Sequence, residues 1–242
     1  MKKLFLFAAV MFSSISFSSC SEDDNKENQT SQKLLKQIEE ISADKTIYYD
    51  FSYDDQQRLA EVSIHGGYIH GDVDFTYTYT DDRISVKYNS SSGSYYDAAF
   101  ILDHNGYVTE FDVNGKTNWR YEYENGYVSK KQSTSVVSPL FWTYRWENGN
   151  LMEQRNSYSN STTYTYTDKP NKLNINLFDA QFGLGNFNIF AHVVFLPTNF
   201  KGSIPSNYPA SADNNNIYYE YDDEGYPTQI VGPYANYILT YY

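Results

Sequence analysis

The chain has 242 residues, among them 26 Tyr, 15 Phe, 3 Trp and a single Cys, and carries a formal net charge of −12. That acidity excludes nucleic acid, whose phosphates demand a basic patch, and it excludes charge-driven binding to anionic lipid. One cysteine rules out an internal disulfide and an all-Cys zinc site. The aromatic load excludes a disordered chain, and the length suits one all-β domain with a real core.

Residues 1–19 read as a signal peptide. Lys2 and Lys3 form the basic start, Leu4 to Phe12 the apolar stretch, and Ser13 to Ser19 the small-residue cleavage zone. The apolar run is shorter than a transmembrane helix needs. Phe17-Ser18-Ser19-Cys20 resembles a bacterial lipobox, which would make Cys20 the lipidated first residue of the mature chain. Ser21, Glu22, Asp23 and Asp24 follow; an acidic cluster there resembles the surface-export signal of Bacteroidetes lipoproteins. The plainer reading is a solvated start to a tether over residues 20–30. Ser31 to Ser42 then reads as a short helix capped by Thr30 or Ser31, with Leu34, Leu35, Ile38 and Ile41 on one face.

From Ile47 the period changes to two. Phe75, Tyr77 and Tyr79 alternate with threonines, Trp119, Tyr121 and Tyr123 with Arg120 and Glu122, and Trp142, Tyr144 and Trp146 with Thr143 and Arg145. These are half-buried strands with an aromatic inner face and a polar outer one. The strands belong to a repeat in which, in most copies, an aromatic ends one strand, an Asp/Asn/Gly turn follows, and an apolar residue opens the next. Its seven copies begin at Tyr53, Tyr79, Leu102, Tyr123, Trp146, Tyr166 and Tyr221. Such turns tolerate the positive φ of tight hairpins. The expected architecture is an all-β, up-and-down antiparallel meander of about seven hairpins, curved or barrel-like, forming one domain over residues 31–242. The stretch between the last two copies breaks the period. It contains an apolar run from Ile189 to Leu196, which reads as a buried strand, and Phe200 to Asp213, which reads as a long loop.

The aromatic-Asp-x-x-Gly-x-apolar unit resembles a diverged YD repeat. A closer resemblance is to the Bacteroidetes lipoproteins grouped as DUF4595. It is carried by the lipobox, the acidic tether, the short helix, the Tyr-rich hairpins, Lys201-Gly202-Ser203-Ile204-Pro205 and the late Tyr221-Asp222-Asp223-Glu224-Gly225-Tyr226-Pro227 turn. The resemblance implies a porin-like fold and brings no active site with it.

Chemistry-bearing residues are few. His65 and His70 flank a glycine turn near Asp72 and Asp74, and two histidines do not make a metal site. Asp103-His104-Asn105-Gly106 has part of a calcium loop's composition, without its twelve-residue spacing. Asp54/Asp55, Asp81/Asp82 and Asp222/Asp223 resemble glycosidase pairs but recur at turns, where Asp is favoured for backbone reasons. No nucleophile elbow, P-loop or dinucleotide fingerprint is present, so neither a catalytic residue nor a cofactor is expected. Trp119, Trp142 and Trp146 are in phase with the core. Tyr95, Phe141 and Tyr218 are out of phase and are the candidates for outward ligand stacking. The sequence therefore points to a non-enzymatic cell-surface lipoprotein that binds a glycan, peptide or protein, held to the outer membrane through Cys20. An integral outer-membrane β-barrel is the alternative, and a glycan hydrolase using acids such as Asp179 and Asp213 ranks last.

Overall fold

Strands form where an apolar ring alternates with a polar residue, because each such segment can bury one face and wet the other. The computed structural model describes residues 32–66, 71–135, 140–173, 201–233 and 235–242. The first strands are β1 (Leu35–Ile41), β2 (Thr46–Tyr53), β3 (Leu59–His65), β4 (Val73–Tyr79), β5 (Arg83–Ser90) and β6 (Tyr95–Leu102). They are followed by β7 (Val108–Val113), β8 (Lys116–Glu124), β9 (Tyr127–Ser133), β10 (Phe141–Glu147), β11 (Asn150–Asn156) and β12 (Ser161–Pro170). After the long insertion come β13 (Asn207–Ala212), β14 (Asn215–Asn216), β15 (Tyr218–Tyr221), β16 (Pro227–Val231) and β17 (Asn236–Tyr241).

All 17 strands belong to one antiparallel sheet. Strand β1 pairs with both β2 and β17, so the last strand closes on the first. The ring is interrupted at one place. Only Ile217 separates β14 from β15 along the chain, and among the described residues no ladder joins β13 to β15. A bond from the Ile217 N–H to the Ala210 carbonyl (2.9 Å) and one from Tyr219 Oη to the Pro209 carbonyl (2.6 Å) bridge that gap. The result is a nearly closed barrel.

Alternation of strand direction puts the repeat turns at one end of the barrel, called here the repeat-turn end; the remaining connections form the loop end. Two turn chemistries recur. Asn114-Gly115, Asn125-Gly126 and Asn148-Gly149 have positive φ at both residues, the conformation of a tight I′ turn. Elsewhere an Asp or Asn side chain holds a five-residue turn. Asp103 Oδ1 accepts from the Asn105 and Tyr107 N–H groups at 2.8 and 2.9 Å, and Asp54, Asn156 and Asp222 repeat the pattern. These bonds supply the backbone reason for Asp in the motif.

The repeat's aromatic has a second task. Tyr79 Oη donates to the Leu59 carbonyl (2.7 Å), Tyr123 Oη to Val108 (2.9 Å), Trp146 Nε1 to Val128 (2.8 Å) and Tyr166 Oη to Leu151 (2.7 Å). In each case the acceptor is the first aliphatic residue in the second strand of the preceding copy. Tyr53 to Leu35 and Tyr241 to Pro227 continue the lacing at the closing strands.

The core lies inside the ring. Ile47, Tyr49, Phe51, Val62, Ile64, Ile84, Phe100, Tyr208 and Ile230 are essentially inaccessible. At about 25 cal/mol per Å² of apolar area, the apolar side chains facing inward dominate the stability.

Several expectations change. Leu35 to Ile41 is a strand, and no helix occurs among the described residues. A bulge between Leu35 and Gln37 lets Leu35 and Ile38 both face inward, which gives them the three-residue spacing of a helix face. Ladders on both sides of β1 outweigh a short helix that is marginal alone. The strands number 17, more than seven hairpins provide: β1, β14 and β17 lie outside the strands that flank the seven repeat copies. Residues 207–212 of the expected loop are β13. The sixth copy is not a tight hairpin, since β12 runs on to Pro170 and its partner β13 begins at Asn207. The strand expected at Ile189 to Leu196 lies outside the described residues.

The chain returns from the insertion as a strap across the repeat-turn end. Lys201 Nζ donates to the Asn105 carbonyl, the Val128 N–H to Gly202 (2.9 Å) and the Ser206 N–H to Gly149 (2.9 Å). Gly202 has φ +75°, and a Cβ there would meet the Gly126 carbonyl oxygen at 2.2 Å.

Candidate functional site

The polarity of the wall decides which surfaces can meet a ligand. Outward positions carry cross-strand ion pairs: Arg120 with Glu110 (3.1 Å), Lys130 with Glu122 (3.0 Å) and Arg145 with Glu153 (3.5 Å). Thr76 and Thr78 on β4, Thr143 on β10 and Thr163 on β12 are exposed as well and extend the polar surface around the wall. Each exposed pair contributes little to stability, but together they make much of the outside hydrophilic.

Tyr95, Phe141 and Tyr218 do face solvent, at 74%, 37% and 62% exposure. Tyr95 opens β6 and Phe141 opens β10, both at the loop end, while Tyr218 opens β15 opposite Val231, the last residue of β16 before a loop-end turn. These strands are four or more apart around the ring, so the three rings do not form one platform. Alternation missed further exposed apolar side chains at Ile41, Tyr158, Ile238 and Tyr242. Tyr158 sits in a turn, where no period applies.

On the inner face the tryptophans follow the predicted phase, yet they are only half-buried. Trp119 and Trp142 meet edge to face at 5.3 Å, and Lys131, 4% exposed, holds its Nζ 4.3 Å from the Trp119 ring centre and 5.8 Å from that of Trp142. Register places Lys131 directly between Tyr121 and Trp142 on the flanking strands. The rings give the buried ammonium a cation–π environment. Sequence spacing could not show this, because it depends on the β8–β9 and β9–β10 registers.

The titratable candidates divide into structural roles. His65 stacks on Tyr48 (5.4 Å) and lies 3.5 Å from Asp50; His70 is outside the described residues. Among those described, no three His, Cys, Asp or Glu side chains converge to hold a metal. The Tyr107 N–H holds the Asp103 carboxyl below the usual range against partial desolvation, and the Asn105 N–H adds to the effect. Asp54 and Asp222 are also lowered: desolvation opposes the shift, and the bond from Arg58 or Lys33, with backbone N–H groups, outweighs it. Lowered carboxyls bound to backbone are poor proton donors. Asp213 accepts from the Thr163 N–H at 2.8 Å; Asp179, Cys20 and Ser21 to Asp24 are outside the described residues.

No family model matches the chain, and no curated protein matches it. Solved structures do. A porin-like protein from Bacteroides uniformis aligns over 86% of this chain and 98% of its own, with a TM-score of 0.62 and 15% identity. A porin-like protein from Bacteroides vulgatus aligns over 87% and 99%, with a TM-score of 0.51 and 16% identity. At such identities the likeness establishes a shared porin-like fold.

Proposed function

We propose that this chain is a non-enzymatic lipoprotein of the DUF4595 type, anchored through Cys20 and displayed on the outer face of the outer membrane. There it serves as a binding module for a glycan, peptide or protein. The observation that carries the reading is the charge-paired outer wall. A barrel embedded in lipid presents an apolar belt about 25 Å tall, whereas Arg120–Glu110, Lys130–Glu122 and Arg145–Glu153 occupy the middle of this wall. The porin-like description of the two structural neighbours favours the embedded alternative, and the polarity of the wall weighs against it. Among the described residues the turn carboxylates serve the backbone, which supports binding over hydrolysis.

The test is expression of residues 21–242 without detergent. A folded, monodisperse barrel in aqueous buffer is expected. Aggregation relieved only by detergent would return the embedded barrel. Cys20→Ala in the full chain is expected to abolish fatty-acid labelling and release the protein from membranes; unchanged retention would overturn the anchor.

A further inference from the structure

The polar wall is interrupted at the seam where the last strand meets the first. Register aligns one outward row as Tyr218, Val231, Asn236, Ile41 and Thr46 across β15, β16, β17, β1 and β2. The next outward row reads Glu220, Gln229, Ile238, Glu39 and Tyr48, with His65 following on β3. Ile41 and Ile238 are diagonal neighbours on adjacent strands, close enough for their side chains to share one patch. Tyr218, Ile238 and Ile41 are 62%, 41% and 36% exposed. Most outward positions elsewhere on the wall are polar, so this grouping is a local departure from its pattern.

The composition of the patch selects its occupant. Tyr218 offers one flat ring at the end of the row, but Val231, Ile41 and Ile238 are branched and extend no platform beside it, so the patch as a whole suits apolar side chains better than a sugar. Its rim is acidic: Glu39 and Glu220 lie within the second row, Asp50 is two residues beyond Tyr48, and Asp44 is in the turn after Ile41. Lys45 and His65 are the counterweights, and His65 is turned toward Asp50. A second copy of this chain would bring an acidic rim against an acidic rim, which disfavours self-pairing. A surface with an apolar centre and Lys or Arg around it would satisfy both the rows and the rim.

We infer that the closing seam is a docking surface for a partner protein whose contact face is apolar at the centre and basic at its edge. This deepens the binding-module reading and depends on it for the setting, since the anchor decides where the partner is met. The patch itself does not require the anchor.

The test selects random twelve-residue peptides against the purified protein, with counter-selection against Ile238→Asp. Both proteins are first matched for unfolding midpoint, an outward substitution being compatible with the fold. The expected survivors combine apolar residues with Lys or Arg. Their binding should fall at least tenfold in Tyr218→Ala and in Glu39→Lys/Glu220→Lys, and the double reversal should gain affinity for the same peptides with Glu in place of Lys. No survivors, survivors without cations, or binding indifferent to the reversal would overturn the proposal. A dimer dissolved by Ile238→Asp would assign the seam to a second copy. Glycan binding lost in Tyr218→Ala would assign it to a sugar. Failure of the anchor in the Cys20→Ala experiment leaves the peptide result intact, so the two readings fail separately.

Discussion

Five of the seven repeat copies, those opening with Tyr53, Tyr79, Tyr123, Trp146 and Tyr166, place a hydrogen-bond donor at the far end of a ring that otherwise serves as packing surface. Tyr79→Phe removes only the hydroxyl that reaches the Leu59 carbonyl, so it should cost about 1 kcal/mol in denaturant unfolding. Tyr158→Phe, 67% exposed, should stay within about 0.5 kcal/mol. Equal effects would mean that the lacing contributes nothing. Glu40 provides a pH-dependent case. Burial raises its carboxyl above the usual value, partly opposed by the bond from Tyr49 Oη at 2.6 Å and by Lys45. Because the folded value exceeds the unfolded one, Glu40's contribution is fully present below the unfolded value of about 4.3 and is lost as pH rises through the folded value. Glu40→Gln should therefore melt higher than wild type at pH 7, and the two should converge near pH 4. A constant offset across that range would refute the assignment. The turn role of Asp103 was legible from sequence because an Asx turn needs only local chain. The acceptor of each tyrosine was not, since it belongs to another copy and depends on strand register.

Strand identity was legible wherever aromatics alternate with polar residues, and illegible where a bulge disguised the period, as at Leu35 and Ile38. The alternation predicts unequal costs on β8. Tyr121 packs against the core and Glu122 faces out. Tyr121→Ala should cost about 2–4 kcal/mol, somewhat below a fully buried aromatic, and Glu122→Ala under about 1 kcal/mol even with its Lys130 partner lost. Equal unfolding midpoints would put the wrong face inside. The strap offers a sharper test. Gly202→Ala combines a strained positive φ with a Cβ driven onto the Gly126 carbonyl, so it should cost about 1–3 kcal/mol and raise hydrogen exchange at Val128. Unchanged protection at Val128 would show that the strap is not seated on the turns. The outward phase of Tyr95, Phe141 and Tyr218 was readable from sequence; the seam beside Tyr218 was not, because it gathers residues nearly two hundred positions apart.

At the scale of the molecule, the two ends of the folded segment meet. The Tyr242 N–H donates to the Leu34 carbonyl at 3.0 Å. A short flexible linker from Tyr242 to Gln32, with new termini at Ser92 and Gly93, should leave the barrel intact. A Cβ at Gly93 would have open space around it, and exposed loop tips are the sites that tolerate new ends. The permutant should remain soluble without detergent and unfold within about 1 kcal/mol of the parent. A molten or aggregated permutant would show that β5–β6 connectivity is needed for closure.

Because β1 is flanked by β17, the first strand made waits for the last. Until Asn236 to Tyr241 has been synthesised and delivered, β1 and β16 each present an open edge, and open edges invite pairing with another chain. The contact that completes the ring is also the one with the greatest sequence separation, which makes closure slow relative to hairpin formation. A chain truncated by only seven residues would lose Tyr237, Leu239 and Tyr241 from the core and its lining, and it would also keep both edges permanently exposed. Lost stability and edge-driven aggregation would act together on it.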